Sequence, residues 1–348
     1  MTEYKRKLAS VQITDDILPH DNADSLELAV VMGWQVIIKK NEFKKGDKII
    51  YLEIDSVCPD QPWSQFLKAK DFRIRTIKLR GKMSQGLILP MTTLEQMYPG
   101  SSITDHKVGD DVTDLLKITK YEAPEERHSH VQGTSRVFTF PAHYGFTKTD
   151  EPRLQSMLTY LEMFKGLPWY ATVKYDGMSG TYFIDPETKK LAVCSRNQRI
   201  EKPDELKGGD YHWKIAEKYK LEEILSKYDH LVIQGEVYGP SIQDNKLNVK
   251  ELKFAIFTIY DLNKKKYCLY EDLKSYCQKM GLEMVTVDSE GNDFNFTKNE
   301  LLEKVRGKYP GSKHDREGLV FRLKETHEIN GERASFKVIN NDFLLKEK

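Results

Sequence analysis

Six charged side chains in the second half of the chain stand where the surrounding pattern is apolar strand. They are Lys174 and Lys337, the acids Asp176, Glu236 and Glu317, and Arg196. Each alone reads as a half-exposed strand residue; together they form a constellation of cations and acids around one candidate nucleophile. That candidate is Lys174, reached by the apolar run Ala171-Thr-Val173 and followed by Tyr-Asp176-Gly177. Gly180-Thr-Tyr-Phe-Ile184 reads as a second strand, which predicts that Lys174 sits just before a hairpin turn. A free ammonium of pKa about 10.4 is a poor nucleophile, so the task requires burial or neighbouring cations to destabilise the charged form. The four residues alone favour an ordinary surface lysine beside an Asp-Gly turn, and the partners elsewhere decide.

The elements that must position these groups follow from pattern. Strands are expected at 179–184, 191–196, 231–237, 253–262, 317–323 and 334–339, with helices at 211–228, 269–280 and 298–306. Ser195-Arg-Asn197 ends one strand, Glu236 lies inside another, Glu317 opens a third, and Lys337 lies among the apolar residues of the last. A further helix is expected to open at Thr149-Asp-Glu-Pro-Arg153, capped by Thr149 or Asp150, with Leu154, Met157, Leu158 and Leu161 as its apolar face. Arg153 then falls in a first turn that favours anions, or is an ordinary surface arginine.

The first 120 residues read as all-β. Leu26–Val31, Trp34–Ile38 and Asp47–Glu53 are short strands punctuated by glycine, which suggests a small five-stranded barrel of the OB kind. Within it, Arg73, Arg75, Lys78, Arg80 and Lys82 would line one extended strand. Such a strand is either a contact surface for nucleic-acid backbone or a charged edge that prevents aggregation. Residues 121–145 are polar and irregular and read as a linker.

The 348 residues suffice for two domains. With 54 basic and 53 acidic residues, net charge is no guide to a nucleic-acid partner, and only local patches could be. Cys58, Cys194, Cys268 and Cys277 form no CxxC pair, which argues against a zinc site and a disulfide framework. No signal peptide or long apolar span is visible, so an intracellular, membrane-free, reducing location is expected.

Six segments occur in order: Lys-Tyr-Asp-Gly (174–177), Ser-Arg-Asn (195–197), Glu-Val-Tyr-Gly (236–239), Phe-Ala-Ile-Phe (254–257), Glu-Gly-Leu-Val (317–320) and Phe-Lys-Val (336–338). They resemble motifs I, Ia, III, IIIa, IV and V of the covalent nucleotidyltransferases, the superfamily of ATP-dependent RNA and DNA ligases and mRNA capping enzymes. DNA ligases and capping enzymes carry an OB domain after motif V, whereas only 11 residues follow Lys337. The order found here resembles the Deinococcus/Naegleria-type ATP-dependent RNA ligases. The implied fold is α+β: an OB-like β-barrel at 1–125, a linker at 126–148, and at 149–348 an ATP-grasp-like nucleotidyltransferase domain with antiparallel sheets and flanking helices. One departure stands out. Many RNA ligases have Lys-x-Lys in motif V, and Ser335 holds the first place.

The resemblance implies an RNA ligase that joins 3′-OH and 5′-phosphate ends, on a nicked duplex and as a monomer, through lysyl-AMP and AppRNA. A DNA ligase, a capping-type guanylyltransferase and a non-catalytic RNA-binding protein are the alternatives. By the same resemblance Lys174 takes the AMP and Lys337 meets the α-phosphate. Arg153, Val173, Arg196, Glu236 and Phe257 contact the nucleotide, with Phe257 stacking on adenine. Carboxylates beside Lys174 would raise its pKa, a contradiction that magnesium or manganese resolves if Asp176, Glu236 and Glu317 hold the metal through waters.

Overall fold

The structure is a computed structural model and describes residues 6–99, 105–121, 137–206, 210–329 and 332–346. The chain forms two compact units. One comprises residues 6–121 with 153–159 and 344–346; the other comprises 137–152 and 160–343. The stretch expected as a linker therefore divides. Residues 126–136 lie outside the described residues, while 137–148 belongs to the second unit, where Phe140 and Phe146 are buried against Phe183 and Tyr260.

The N-terminal unit carries β1 (Ala9–Ile13), β2 (Asp16–Pro19), β3 (Leu26–Val31), β4 (Trp34–Lys39), β5 (Lys48–Leu52), β6 (Ser56–Val57), β7 (Ile77–Leu79), β8 (Lys82–Ser84), β9 (Leu87–Pro90) and β10 (Thr119–Lys120). They pair antiparallel as β1-β5-β9, β2-β3-β4, β6-β10 and β7-β8. Alternation along β4 turns Trp34, Val36 and Ile38 into the core, where Val11 of β1 and Leu28 of β3 are buried as well.

The single cationic strand expected over 73–82 does not form. Arg73 is buried, pairs with Asp55 at 3.0 Å and lies 3.5 Å from the ring centre of Tyr121. The chain then folds back at Arg80-Gly81, both at positive φ, which is the conformation a two-residue hairpin loop demands. Lys82 pairs with Asp21 at 2.5 Å, whereas Lys78 and Arg80 are exposed at the hairpin tip beside Ile77 and Leu79.

The second unit carries β11 (Val137–Thr139), β12 (Trp169–Lys174), β13 (Met178–Ile184), β14 (Leu191–Cys194), β15 (Gln198–Ile200), β16 (Leu231–Tyr238), β17 (Lys253–Asp261), β18 (Lys266–Tyr267), β19 (Val287–Gly291), β20 (Gly318–Leu323), β21 (Glu328–Ile329), β22 (Glu332–Arg333) and β23 (Ser335–Ile339). A seven-stranded sheet runs β11-β15-β14-β13-β16-β17-β18 and a four-stranded sheet runs β19-β12-β20-β23. Leu231, Ile233, Val237, Phe254 and Ile256 of the larger sheet are buried with Trp213, Leu221 and Leu273 from its helices.

Two sequence expectations change here. The helix expected over 211–228 is two, Tyr211–Lys218 and Leu221–Leu225, broken where Lys220 adopts a left-handed φ of 50°. No helix opens at Thr149 either. A short 3₁₀ turn spans Leu154–Ser156, Met157 leaves the helical region at φ −146° and ψ 64°, and the α-helix occupies Thr159–Phe164. The would-be caps make other bonds, described below. The helices Tyr270–Met280 and Lys298–Lys304 form as expected, the first stopped by Gly281 in the left-handed conformation and the second opened by a Thr297–Glu300 capping box.

Candidate active site

Lys174 ends β12, but no hairpin follows. β12 pairs with β19 and β20, and β13 pairs with β14 and β16, so Tyr175-Asp176-Gly177 crosses from the small sheet to the large one. Gly177 serves close approach here: a Cβ on it would strike the Val237 carbonyl oxygen and Glu236 Cγ. The crossing brings Asp176 beside Glu236, which β16 supplies from the large sheet. Opposite Lys174 in register stands Gly318, directly after Glu317. Gly318 has φ +156°, and a Cβ there would strike the Val338 carbonyl oxygen on β23.

Lys174 Nζ lies 2.6 Å from Glu317 Oε2, with both side chains largely buried. Burial alone would depress this ammonium, but Glu317, Glu236 and Asp176 outweigh it and hold its pKa above the ordinary value. The acids respond in turn. Burial, with Glu317 and Asp176 nearby, pushes Glu236 up to about 8 against the pull of Lys174 and Arg196. Burial and Glu317 push Asp176 up to about 6, although Lys246 pairs with it at 2.6 Å. Fully ionised, the three carboxylates exceed Lys174 and Lys246 by one negative charge. Tyr309 ties the group together: its hydroxyl donates to the Lys174 carbonyl at 3.1 Å and accepts from the Glu317 N–H at 3.0 Å.

A second cluster stands across β20. Thr172, Val320 and Lys337 are directly opposed in register, as are Tyr170, Arg322 and Ser335, so Lys174 and Lys337 share one face of the small sheet. The segment 149–152, expected as a helix start, binds this face to the large sheet. Thr149 Oγ1 meets Ser179 Oγ at 2.7 Å. Asp150 accepts from Arg196 at 2.7 Å and from Lys337 at 3.0 Å. Glu151 accepts from Arg322 at 3.0 Å and from the Ser335 hydroxyl, and Arg333 lies 3.3 Å away. The Pro152 carbonyl accepts the Lys337 N–H at 2.8 Å. The cation beside Ser335 is thus Arg322, already matched by Glu151. The Arg196, Arg322, Arg333 and Lys337 charges exceed Asp150 and Glu151 by two positive charges, the sign that suits a polyphosphate.

The remaining expected residues fall as follows. Phe257 is half-buried among Tyr238, Ala255 and Val285, and register passes from Gly235↔Ile256 to Gln234↔Thr258 without it, so it is the extra residue of a β-bulge. Val173 is buried with its N–H on the Thr286 carbonyl. Arg153 belongs to the N-terminal unit, where Asp55 accepts from it at 2.7 Å. Among the described residues no three His, Cys, Asp or Glu side chains converge to ligate a metal directly. The anionic surplus around Lys174 nevertheless fits a cation that keeps its waters.

An OB-fold family model matches residues 8–91 and an RNA ligase family model matches residues 167–339. Naegleria gruberi RNA ligase with PPi aligns with 99% of this chain and 99% of its own, at 31% identity and a TM-score of 0.84. The chain belongs to the RNA ligase family. A mutant of the Naegleria ligase with ATP and Mn is 32% identical at a TM-score of 0.85, covering 98% of this chain and 99% of that one. Another, with AMP and Mn, is 31% identical at 0.84 over 98% and 99%. No curated protein sequence matches the chain. The DNA-ligase, capping and non-catalytic readings are not favoured. In this RNA ligase the OB-fold unit precedes the ligase unit, as expected, and no described helix is long and apolar enough to cross a membrane.

Sequence reasoning missed Asp150, Glu151, Tyr309, Lys246 and Arg322. The first two were visible as acids before a proline, a signal absorbed by the capping reading. Tyr309 and Lys246 lie in polar loops and carry no local signal.

Proposed function

We propose that this RNA ligase uses ATP to join a 3′-OH to a 5′-phosphate RNA end, with Lys174 as the residue that carries AMP. The observation that supports it most is the lysine amine at the end of a rigid strand, 2.6 Å from Glu317 and on the same sheet face as Lys337. The Lys174 amine attacks the α-phosphorus, forming a phosphoramidate as pyrophosphate leaves. An oxygen of the RNA 5′-phosphate then displaces Lys174 to give AppRNA, and the 3′-hydroxyl displaces AMP to close the phosphodiester. Positioning and charge neutralisation carry such transfers.

Lys337 and Arg196 neutralise phosphate oxygens, Phe257 stacks on the adenine, Glu236 holds the ribose, and Val173 lines the nucleotide pocket. Arg153 binds the outer phosphates of ATP or the RNA 5′-phosphate. Asp176, Glu236 and Glu317 would hold magnesium or manganese, whose charge would offset the acids and ease loss of the Lys174 proton. The substrate is a nicked duplex whose backbone meets Lys78 and Arg80, and the enzyme acts as a monomer. The four buried free cysteines suit a reducing intracellular compartment.

The test is incubation with α-labelled ATP or GTP and magnesium. Label should pass to wild-type protein from ATP and not to Lys174→Ala, which should still seal ready-made AppRNA, if more slowly. Label from GTP alone, or label on Lys174→Ala, refutes the reading.

A further inference from the structure

We propose that Asp150 is a positioning residue of the ligation reaction, an internal anion that holds Arg196 and Lys337 at phosphate spacing and gives way when phosphate enters. The inference rests on the reading above that these two cations bind phosphate. Asp150 spends one oxygen on each: Oδ2 on Arg196 at 2.7 Å and Oδ1 on Lys337 at 3.0 Å. The cations come from different sheets, Arg196 just beyond β14 and Lys337 on β23. A phosphoryl group has the same bite, two oxygens on one centre, and can take both stations.

Exposure separates Asp150 from its neighbour. Asp150 is 29% exposed with Arg196 at 36%, so solvent and ligand reach the pair. Glu151 and Arg322 are 8% and 6% exposed and act as fixed scaffold. Asp150 is also held on both sides, by the Thr149–Ser179 bond and by the Pro152 carbonyl on Lys337 N–H, so its carboxylate returns to the same place once a product leaves. The consequence is a trade. The carboxylate keeps the cations aligned and competes with phosphate, which weakens ground-state binding and speeds release.

Asp150→Asn keeps the size and one acceptor but removes the competing charge. Inorganic pyrophosphate without divalent metal, titrated by calorimetry at fixed ionic strength, should bind the variant about fivefold more tightly, the scale of one half-exposed ion pair. In steady-state nick sealing, KM for ATP and kcat should fall together, because product leaves later. Damage to the fold alone lowers kcat without lowering KM. Pyrophosphate affinity unchanged or weakened, or a raised KM, overturns the proposal. Asp150→Ser makes the same measurements should the first variant not fold. If wild type takes no AMP from ATP, the ligase reading itself has failed; if it does and the variant shows no tighter pyrophosphate binding, only this inference has.

Discussion

Replacing Glu151 by Gln removes one charge from the most enclosed part of the site. Glu151 is 8% exposed and faces Arg322 at 3.0 Å, Arg333 at 3.3 Å and the Ser335 hydroxyl. Glutamine keeps the shape but leaves two guanidinium groups without this counter-charge, one of which, Arg322, already has its Nε buried without a hydrogen-bond partner. Removing one partner of a buried ion pair costs about 3–5 kcal/mol, against at most about 1 kcal/mol at an exposed one. In a unit of about 200 residues each kcal/mol moves Tm by about 2–4 °C, so scanning calorimetry should show a loss of about 6–20 °C at pH 7. Burial pushes the Glu151 carboxyl up, but Arg333, Arg322, the Ser335 hydrogen bond and Lys337 outweigh it and hold it below its ordinary range. A depressed carboxyl contributes its full stability above the unfolded pKa, about 4.3, and loses it as pH falls through the folded value. The difference between wild type and variant should therefore narrow in acid. A loss under about 1 kcal/mol, or a difference that persists undiminished in acid, refutes the scaffold role.

Three further outcomes are expected. In Glu317→Gln, Lys174 loses its nearest acid; if the acids act through a metal, adenylylation should need more magnesium and shift to higher pH, whereas a shift to lower pH shows that Glu317 acts only by its own charge. Tyr309→Phe removes the bond from the Lys174 carbonyl to the Glu317 amide, and single-turnover adenylylation should slow about tenfold, the scale of one or two lost hydrogen bonds; an unchanged rate removes Tyr309 from the site. Replacing both Lys78 and Arg80 by Ala should leave adenylylation intact while the salt dependence of nicked-duplex binding becomes shallower by about two counterions; an unchanged slope makes the hairpin only a charged edge.

The strands that bear or border Lys174, Glu236, Glu317 and Lys337 were legible because each is an apolar run interrupted by only one or two charges. What those strands pair with was not. Tyr175-Asp-Gly177 is locally the same whether it closes a hairpin or crosses between sheets, and only the distant partners of β12 and β13, in β20 and β16, decide it. Thr149 and Asp150 were misread for a related reason. A side chain that can cap a helix can as well bind a distant arginine, and the choice is tertiary. The bulge at Phe257 needs the register of two strands and leaves no mark on one. Arg80-Gly81 is the opposite case: the turn signal was present, and the count of cations around it drew the reading to an extended strand.

The two glycines beside the reacting groups make the gentlest substitution at this site the harshest. Ser335 meets side chains, Glu151 accepting from its hydroxyl and from Arg322, and side chains can shift to suit a replacement. Gly177 and Gly318 have no such latitude. A single methyl at either meets a backbone carbonyl, Val237 in one case and Val338 in the other, and backbone cannot swing aside as a side chain can. Alanine at 318 would push β23 off β20 and carry Lys337 with it; alanine at 177 would press on the strand that bears Glu236. The separation of Glu236 and Lys337 from Lys174 is thus gauged by two missing carbon atoms.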